Sequence, residues 1–254
     1  MAPRRYTEPS RPAYSRFMVD LNGKLKLHPD FRHEVVRIGN DAAPVLVVDN
    51  FLSDPEIIRE HVFGQGAFKP GYASYPGVQS VVPPVYVHAL RLFLIDILKP
   101  VFRLENAQLA KAFSGFSLVT TPPHELTIVQ CLPHFDSTDP KQIALLHYIC
   151  PPGKGGTAFY RHHRTGYEHV DETRLASYTA SVNAELKELG MVPARYVNAS
   201  TSQYERIAGF EPVFNRVLIY RSMSLHSADI AEDFDFDPHP RTGRLTVNAL
   251  FNFV

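Results

Sequence analysis

The pattern of hydrophobic positions changes about halfway along the chain, from helical spacing to strands. Five apolar residues in the first half recur at the spacing of one helix face: Leu90, Phe93, Leu94, Ile97 and Leu98. Pro100 marks the predicted end of this helix, because proline cannot donate a backbone hydrogen bond. A shorter helix is predicted to begin at the capping sequence 53–56, after an apolar strand at 45–49. Residues 66–88, rich in Gly, Pro and Tyr, predict a long loop.

The second half of the chain carries short apolar runs that are typical of strands. They are predicted at 117–121, 126–130, 143–149, 155–160, 216–220 and 245–253. In the last run Leu245 and Val247 alternate with Thr246, so the two faces differ in polarity. A helix is predicted over 171–189, with Gly190 as its C-terminal cap.

Helices in the first half and one inserted helix therefore surround a run of strands, without a visible repeat or linker. This arrangement predicts an α+β fold with a β-sandwich or barrel at its centre. Residues 1–44 lack a clear period and are predicted to form an N-terminal arm, wrapped on the surface or partly disordered. Residues 45–254 are predicted to form a single domain, since 254 residues can bury one substantial core.

Composition narrows the classes of partner. Lys+Arg and Asp+Glu are equal at 26 each, so no broad field attracts nucleic acid or an anionic membrane. The chain starts with basic residues but no apolar run follows, and no stretch reaches the length of a membrane span. Two cysteines, Cys131 and Cys150, are too few for a disulfide scaffold, which favours a reducing, cytoplasmic location.

One short motif carries metal chemistry. His134 and Asp136 follow a predicted strand, and residues two apart on an extended chain point to the same side. His226, just after the 216–220 strand, is the best candidate for a third ligand. Two histidines and one carboxylate leave three positions of an octahedral ion open, which is the arrangement of non-haem Fe(II) oxygenases.

These residues resemble the pattern of the 2-oxoglutarate/Fe(II) dioxygenase superfamily: His134-Phe-Asp136, the distant His226, and then Arg244-Leu-Thr246. The turn Gly155-Gly156-Thr157 is also similar to one in prolyl-hydroxylase-like members. The resemblance covers roughly residues 126–254. It implies a double-stranded β-helix (jelly-roll) core with flanking N-terminal helices and a helical insert.

The resemblance also implies a function and a role for each residue. Fe(II) would be held by His134, Asp136 and His226, and 2-oxoglutarate would be the cosubstrate. Arg244 would pair with the distal carboxylate of 2-oxoglutarate, while Thr246 adds a hydrogen bond. Hydroxylation by O₂ is the expected outcome, since the retained Asp136 argues against halogenation. Arg244 and Thr246 share one face of their strand, and a buried guanidinium needs an anionic partner.

Several polar residues have two interpretations. Gln130, four residues before His134, either touches the cosubstrate or substrate or is an ordinary strand residue. His147 is expected to be a core histidine, with a place beside the iron as the alternative. His162 and His163 are expected on the surface, and they are the substitutes for the third ligand.

Two other functions stay open on the sequence. One is a metal-dependent β-barrel enzyme that does not use 2-oxoglutarate, and the other is a non-catalytic binding protein on the same fold. The acidic run 232–237 is expected to be a solvated loop, with a lid as the alternative. The substrate is a small molecule or a peptide, and no motif indicates which. The sequence does not define an oligomeric state.

Overall fold

The computed structural model describes residues 21–65, 68–71, 75–190 and 192–254. The helices of this part are α1 (Glu56–Gln65), α2 (Pro84–Val101) and α3 (Glu172–Leu189), with two short 3₁₀ helices at Pro123–Glu125 and Ile128–Cys131. The strands are β1 (Arg32–Ile38), β2 (Ala43–Asp49), β3 (Lys69–Pro70), β4 (Gly77–Val81), β5 (Leu109–Val119), β6 (Gln142–Tyr148), β7 (Gly156–His162), β8 (Tyr204–Phe210), β9 (Val217–Arg221), β10 (His226–Asp229) and β11 (Leu245–Phe253). No helix among these residues is long and apolar enough to cross a membrane.

The strands form two antiparallel sheets. The larger has the order β1-β2-β9-β6-β11-β5-β4-β3, and the smaller has the order β10-β7-β8. Neighbouring strands pair in antiparallel register throughout. The α+β class is therefore confirmed and a β-sandwich is compatible with it, while the double-stranded β-helix stays a prediction.

Alternation along the strands separates two cores on either side of the large sheet. On β6, Ile143 and Leu145 pack into a core that includes residues of α1 and α2. Ala144 and Leu146, on the opposite face, pack with Phe159 of the small sheet. The inner face of the large sheet is the one that is directed toward the small sheet. Both faces are covered, which explains why β6 is apolar on both sides from Ile143 to Leu146.

Strand register arranges the inner-face side chains in rows across the large sheet. The deep row is Tyr148, Thr246, Ser117, Gln79 and Lys69. The middle row is Leu218, Leu146, Asn248, Gly115 and Val81. The outer row is Tyr220, Ala144, Leu250 and Phe113, and the edge row is Gln142, Asn252 and Lys111. Directly opposed residues of paired strands share a face, so each row lines the same side of the sheet.

The N-terminal half departs from the sequence predictions in three places. Residues 32–38 of the predicted arm form β1, which pairs with β2 along its full length. Residues 1–20 of that arm lie outside the described part, and the single domain 45–254 stays a prediction. The predicted loop 66–88 contains β3, β4 and the first turn of α2. Pro100 lies inside the last turn of α2 instead of ending it.

The strand predicted at 126–130 is wrong. The chain forms a 3₁₀ helix at Ile128–Cys131 because Thr127 and Gln130 make a reciprocal capping box. The Gln130 amide oxygen accepts the Thr127 backbone N–H at 2.8 Å. Local side-chain capping therefore outweighs the strand preference of the apolar, β-branched run.

Candidate metal centre

Two chain segments far apart in sequence are held together at the edge of the small sheet. His134 and His226 form an antiparallel bridge, in which each backbone N–H donates to the other residue's carbonyl oxygen at 2.8 Å. The Asp136 N–H donates to the Ser222 carbonyl oxygen, also at 2.8 Å. Four residues are thus fixed by main-chain hydrogen bonds, which do not depend on side-chain rotamers. The backbone alone brings the motif beside the distant histidine.

The side chains of His134, Asp136 and His226 converge. Their possible ligand atoms all lie within 4.8 Å of one another. Oδ1 of Asp136 is 3.9 Å from Nε2 of His134, and Oδ2 is 3.8 Å from Nε2 of His226. Two imidazole nitrogens and one carboxylate oxygen at these separations fit a single divalent transition-metal ion.

Hydrogen bonding sets the orientation of the His226 ring. Nδ1 lies 2.9 Å from the Ser224 carbonyl oxygen, so it carries the proton and donates. Nε2 is then left with a lone pair directed toward Asp136. This support of a ligating imidazole by a backbone carbonyl is a common feature of metal sites. The Tyr220 ring, 4.9 Å away between centroids, packs edge-on against the imidazole.

The His134 ring is partly enclosed by protein and opens onto a cavity. Burial and the neighbouring His226 lower the pKa of His134 to about 4, although Asp136 acts in the opposite direction. The side chain nevertheless keeps 45% of its surface accessible, on the cavity side. A lowered pKa keeps the ring neutral near pH 7, and the neutral ring is the form that binds metal.

The three residues open onto a cavity of about 1140 Å³ between the two sheets. Its floor is the inner face of the large sheet, where Asn248, Ala144 and Tyr220 contribute. Ligand sites for small molecules typically occupy about 300–1,000 Å³, so this cavity can hold more than one small ligand.

Arg244 is the buried cation of this cavity. Only 2% of its surface is exposed, and it has no carboxylate partner within the described ranges. Nε donates to the Gly155 carbonyl oxygen at 2.9 Å, and Nη2 donates to the Gly156 carbonyl oxygen at 2.8 Å. These bonds anchor the guanidinium but leave its positive charge without a counter-ion. A buried cation without an anion is costly, so the geometry favours an anionic ligand.

The Gly155–Gly156 turn is built to receive this arginine. Gly155 has φ of +81°, and a Cβ on Gly156 would meet the Phe210 carbonyl oxygen at 1.9 Å. Only glycine fits both requirements without backbone movement. The turn therefore presents two carbonyl oxygens to Arg244, which gives the Gly-Gly sequence a physical role.

A tyrosine that the sequence did not single out lies beside Arg244. The Tyr75 hydroxyl is buried and makes no hydrogen bond of ordinary geometry to a described residue. It lies close to Ser117 and Thr246 of the deep row. Burial raises the pKa of Tyr75 to about 12, so the phenol stays protonated and can donate. No sequence pattern identifies it, because its segment has no strand or helix period.

The other predicted ligand-binding residues have different surroundings. Thr246 is fully buried, and its hydroxyl donates to Oδ1 of Asn248 at 3.0 Å. Asn248, not Thr246, is among the residues that line the cavity. Gln130 lines the cavity while its amide oxygen caps the 3₁₀ helix. Their roles toward a cosubstrate stay predictions.

The alternative histidines lie away from the metal centre. His147 faces the helical side of the sheet, where Nδ1 contacts the Tyr86 hydroxyl at 2.5 Å and Nε2 contacts Asn215 at 3.2 Å. It is a core histidine, as expected. The surface position expected for His162 is wrong, since the ring is fully buried against Glu185. His163 is exposed.

The solved structures similar to this chain include two of one bacterial enzyme, described as a novel N-substituted L-amino acid dioxygenase from Burkholderia ambifaria AMMD. The first is 13% identical, has a TM-score of 0.34, and covers 84% of this chain and 82% of its own. The second, in complex with alpha-KG, is 14% identical with a TM-score of 0.33 and the same coverage, 84% and 82%. No curated protein matches the chain.

A protein-family model matches residues 29–251, from just before β1 to within β11. The match includes the metal-ligand candidates, Arg244 and both sheets. The chain therefore belongs to the DUF6445 family, a family of unknown function.

Proposed function

We propose that this protein is an Fe(II)- and 2-oxoglutarate-dependent oxygenase, and that it hydroxylates its substrate. The observation that carries the proposal is one cavity that joins two features. The His134, Asp136 and His226 side chains converge at one point, and a buried arginine without a counter-ion lines the same space. A metal-binding group and an anion-binding group in one cavity are what a chelating dicarboxylate requires.

The donor set fits the metal. Two neutral imidazoles and one carboxylate form the facial ligand set of non-haem Fe(II) sites. When bound, Fe(II) would supply the activation of O₂ and the oxidation of a C–H bond. The protein residues would fix the ion between two chain segments, and the apolar cavity walls would limit access of water.

The deep part of the cavity fits a carboxylate. Arg244 supplies the positive charge, and the buried Tyr75 hydroxyl supplies a donor that lacks an acceptor within the described residues. A carboxylate that accepts from both would remove two unfavourable features at once. Thr246 would support this arrangement through Asn248, to which it donates.

A metal-dependent enzyme that does not use 2-oxoglutarate is the second candidate. It is favoured by the two hydrogen bonds from Arg244 to the Gly155 and Gly156 carbonyl oxygens. These bonds give Arg244 a structural role that needs no ligand. In that case metal binding would be independent of 2-oxoglutarate.

Anaerobic titration with Fe(II) and 2-oxoglutarate tests the proposal, with the visible charge-transfer band of the chelate as the readout. We expect a band in the wild type, no band in His226→Ala, and a band with weaker 2-oxoglutarate affinity in Arg244→Lys. His163→Ala is the matched control, because that ring is exposed and away from the cavity.

Each failure has a distinct meaning. Iron binding without a band would favour the enzyme that does not use 2-oxoglutarate. Neither iron nor a band would overturn the oxygenase and favour a non-catalytic binding protein. An equal loss in His163→Ala would show that the assay reports folding instead of ligation.

A further inference from the structure

The rows of the large sheet end in a line of four side chains on the inner face of β3, β4 and β5. This line, called the rim, consists of Lys69 at the end of the deep row, Val81 at the end of the middle row, Phe113 at the end of the outer row and Lys111 at the end of the edge row. Successive rows are two residues apart, about 7 Å along the strands. The rim thus has a cation at each end and two apolar residues between them.

The centre of the rim exposes apolar surface. Val81 is 76% exposed and Phe113 is 58% exposed. Val129, on the 3₁₀ helix Ile128–Cys131, is 58% exposed and lines the same cavity. Large side chains left open around a cavity indicate a surface that a ligand covers. A ligand that covers this surface would have an apolar body.

The charged residues that line the cavity indicate the sign of the ligand's charge. Apart from histidines, the charged residues among the described lining are Lys69, Asp136 and Arg244. In the proposed function Asp136 binds the metal and Arg244 binds the cosubstrate. Lys69 is then the remaining charge, and it has no carboxylate partner in the described ranges of the chain. An anionic group is the complement that Lys69 lacks.

We propose that the substrate is an organic acid with an apolar body, whose carboxylate pairs with Lys69 while the body covers Val81, Phe113 and Val129. This inference rests on the proposed function for the assignment of Asp136 and Arg244. The cavity volume of about 1140 Å³ leaves room for such an acid beside a cosubstrate. Lys111 lies at the far end of the rim and does not line the cavity, so it takes no part.

Calorimetric titration of the full-length protein with octanoate, octanamide and octylamine tests the inference. The three probes share one apolar chain and differ in charge. The titrations are made anaerobically, with and without Fe(II) and saturating 2-oxoglutarate. We expect octanoate to bind at least about tenfold more tightly than octanamide, the ratio that corresponds to about one charge-assisted hydrogen bond. Octylamine is expected not to bind.

Matched variants locate the carboxylate. Lys69→Gln should remove the preference for octanoate over octanamide, whereas Lys111→Gln should keep it. Val81→Asp should weaken both probes, because it places a negative charge where the apolar chain lies. Circular dichroism of each variant confirms that the fold is retained, and Val81 is exposed enough to tolerate the change.

The inference would be overturned by no preference for octanoate or by an equal effect of Lys111→Gln. It would also be overturned if 2-oxoglutarate displaced octanoate, because octanoate would then bind at Arg244 instead of Lys69. The charge-transfer band is measured in the same samples. A band without octanoate selectivity would overturn the inference and leave the proposed function standing. Lys69-dependent octanoate binding without a band would overturn the proposed function and leave Lys69 as the binding site of an organic acid.

Discussion

A change at Tyr75 allows ligand binding to be tested separately from stability. The Tyr75 hydroxyl is buried close to Ser117 and Thr246 but makes no hydrogen bond of ordinary geometry to a described residue, so its removal should break no strong protein hydrogen bond. We expect Tyr75→Phe to change the free energy of unfolding by less than about 0.5 kcal/mol. The same change should weaken 2-oxoglutarate binding about tenfold, since one hydrogen bond to a carboxylate is lost. Urea denaturation and anaerobic titration measure the two effects.

Tyr86→Phe is the matched control for this change. The Tyr86 hydroxyl bonds to His147 on the helical face of the sheet, away from the cavity. That variant should lose stability and keep its 2-oxoglutarate affinity. The opposite pattern, with Tyr75→Phe destabilised and its affinity unchanged, would mean that the Tyr75 hydroxyl has a structural role.

Some residues of the site could be predicted from the sequence, and others could not. His134, Asp136 and His226 were predicted as a group and do converge, because a short motif and strand geometry restrict where they point. Tyr75 could not be found, since it lies outside the strands and its place is set by packing against Val119 and Tyr196, which are distant in sequence. Thr246 lies on the inner face, where its hydroxyl donates to Asn248, and its contact with a cosubstrate stays a prediction.

Glu168 is 5% exposed and lies under the turn between β1 and β2, where it accepts from the backbone of Asn40 and Asp41. Burial opposes its ionisation, but the backbone N–H groups of Asn40 and Asp41 and the Arg161 guanidinium outweigh burial and lower the pKa of Glu168. A lowered folded pKa stabilises the protein above the unfolded value of 4.5, and the effect is lost as pH falls through the folded pKa.

Glu168→Gln should therefore cost about 1.5–3 kcal/mol at pH 7, the range for hydrogen bonds to a charged group. The difference from wild type should shrink steadily below pH 4.5. Urea denaturation across pH 3 to 7 measures both, and a difference that is independent of pH would contradict the prediction.

At the element scale, α3 is attached to β7 by a buried polar pair. His162 is fully buried, with Nε2 at 2.8 Å from Glu185 of α3 and Nδ1 at 2.9 Å from Thr165. Within α3, Tyr178 and Glu185 are buried, and Leu175 and Val182 are partly buried and pack against the same apolar cluster as Tyr178. The attachment of α3 therefore combines an apolar face with this buried polar pair.

His162→Phe keeps the ring but leaves Glu185 without its buried partner. We expect a loss of about 2 kcal/mol in the free energy of unfolding, because the buried Glu185 carboxylate loses its closest hydrogen-bond donor. Amide hydrogen exchange in this variant should be faster than in the wild type in α3, with a smaller change in β6. His163→Ala, at the exposed neighbouring position, should stay within about 0.5 kcal/mol of wild type. Uniform faster exchange in both elements would argue against a local role.

Elements with strong periodicity could be predicted, and those set by tertiary pairing could not. The helix 171–189 and the strand 245–253 match α3 and β11 closely, because each carries its own pattern. By contrast, β1 is exposed at most positions and carries no hydrophobic pattern, so only its pairing with β2 defines it. The run at 126–130 shows the converse, where a local capping box replaced a predicted strand.

At the scale of the whole molecule, the proposed metal joins two segments that unfolding would separate. His134 and Asp136 follow the 3₁₀ helix, whereas His226 begins β10 of the small sheet. A ligand that binds only the folded state stabilises it by about 4 kcal/mol at a thousandfold excess over its dissociation constant. For a protein of this size we expect a rise in Tm on the order of 10 °C. Differential scanning calorimetry with Fe(II) under anaerobic conditions measures it.

The dependence on cosubstrate makes this prediction specific to the proposed chemistry. Fe(II) and 2-oxoglutarate together should raise Tm by more than the sum of their separate effects, because the metal and Arg244 would hold one molecule from opposite ends. In His226→Ala the metal shift should disappear, whereas in Arg244→Lys only the additional cooperative shift should shrink. Strictly additive shifts in the wild type would mean that metal and 2-oxoglutarate bind independently, and the cavity would then hold two unrelated sites instead of one.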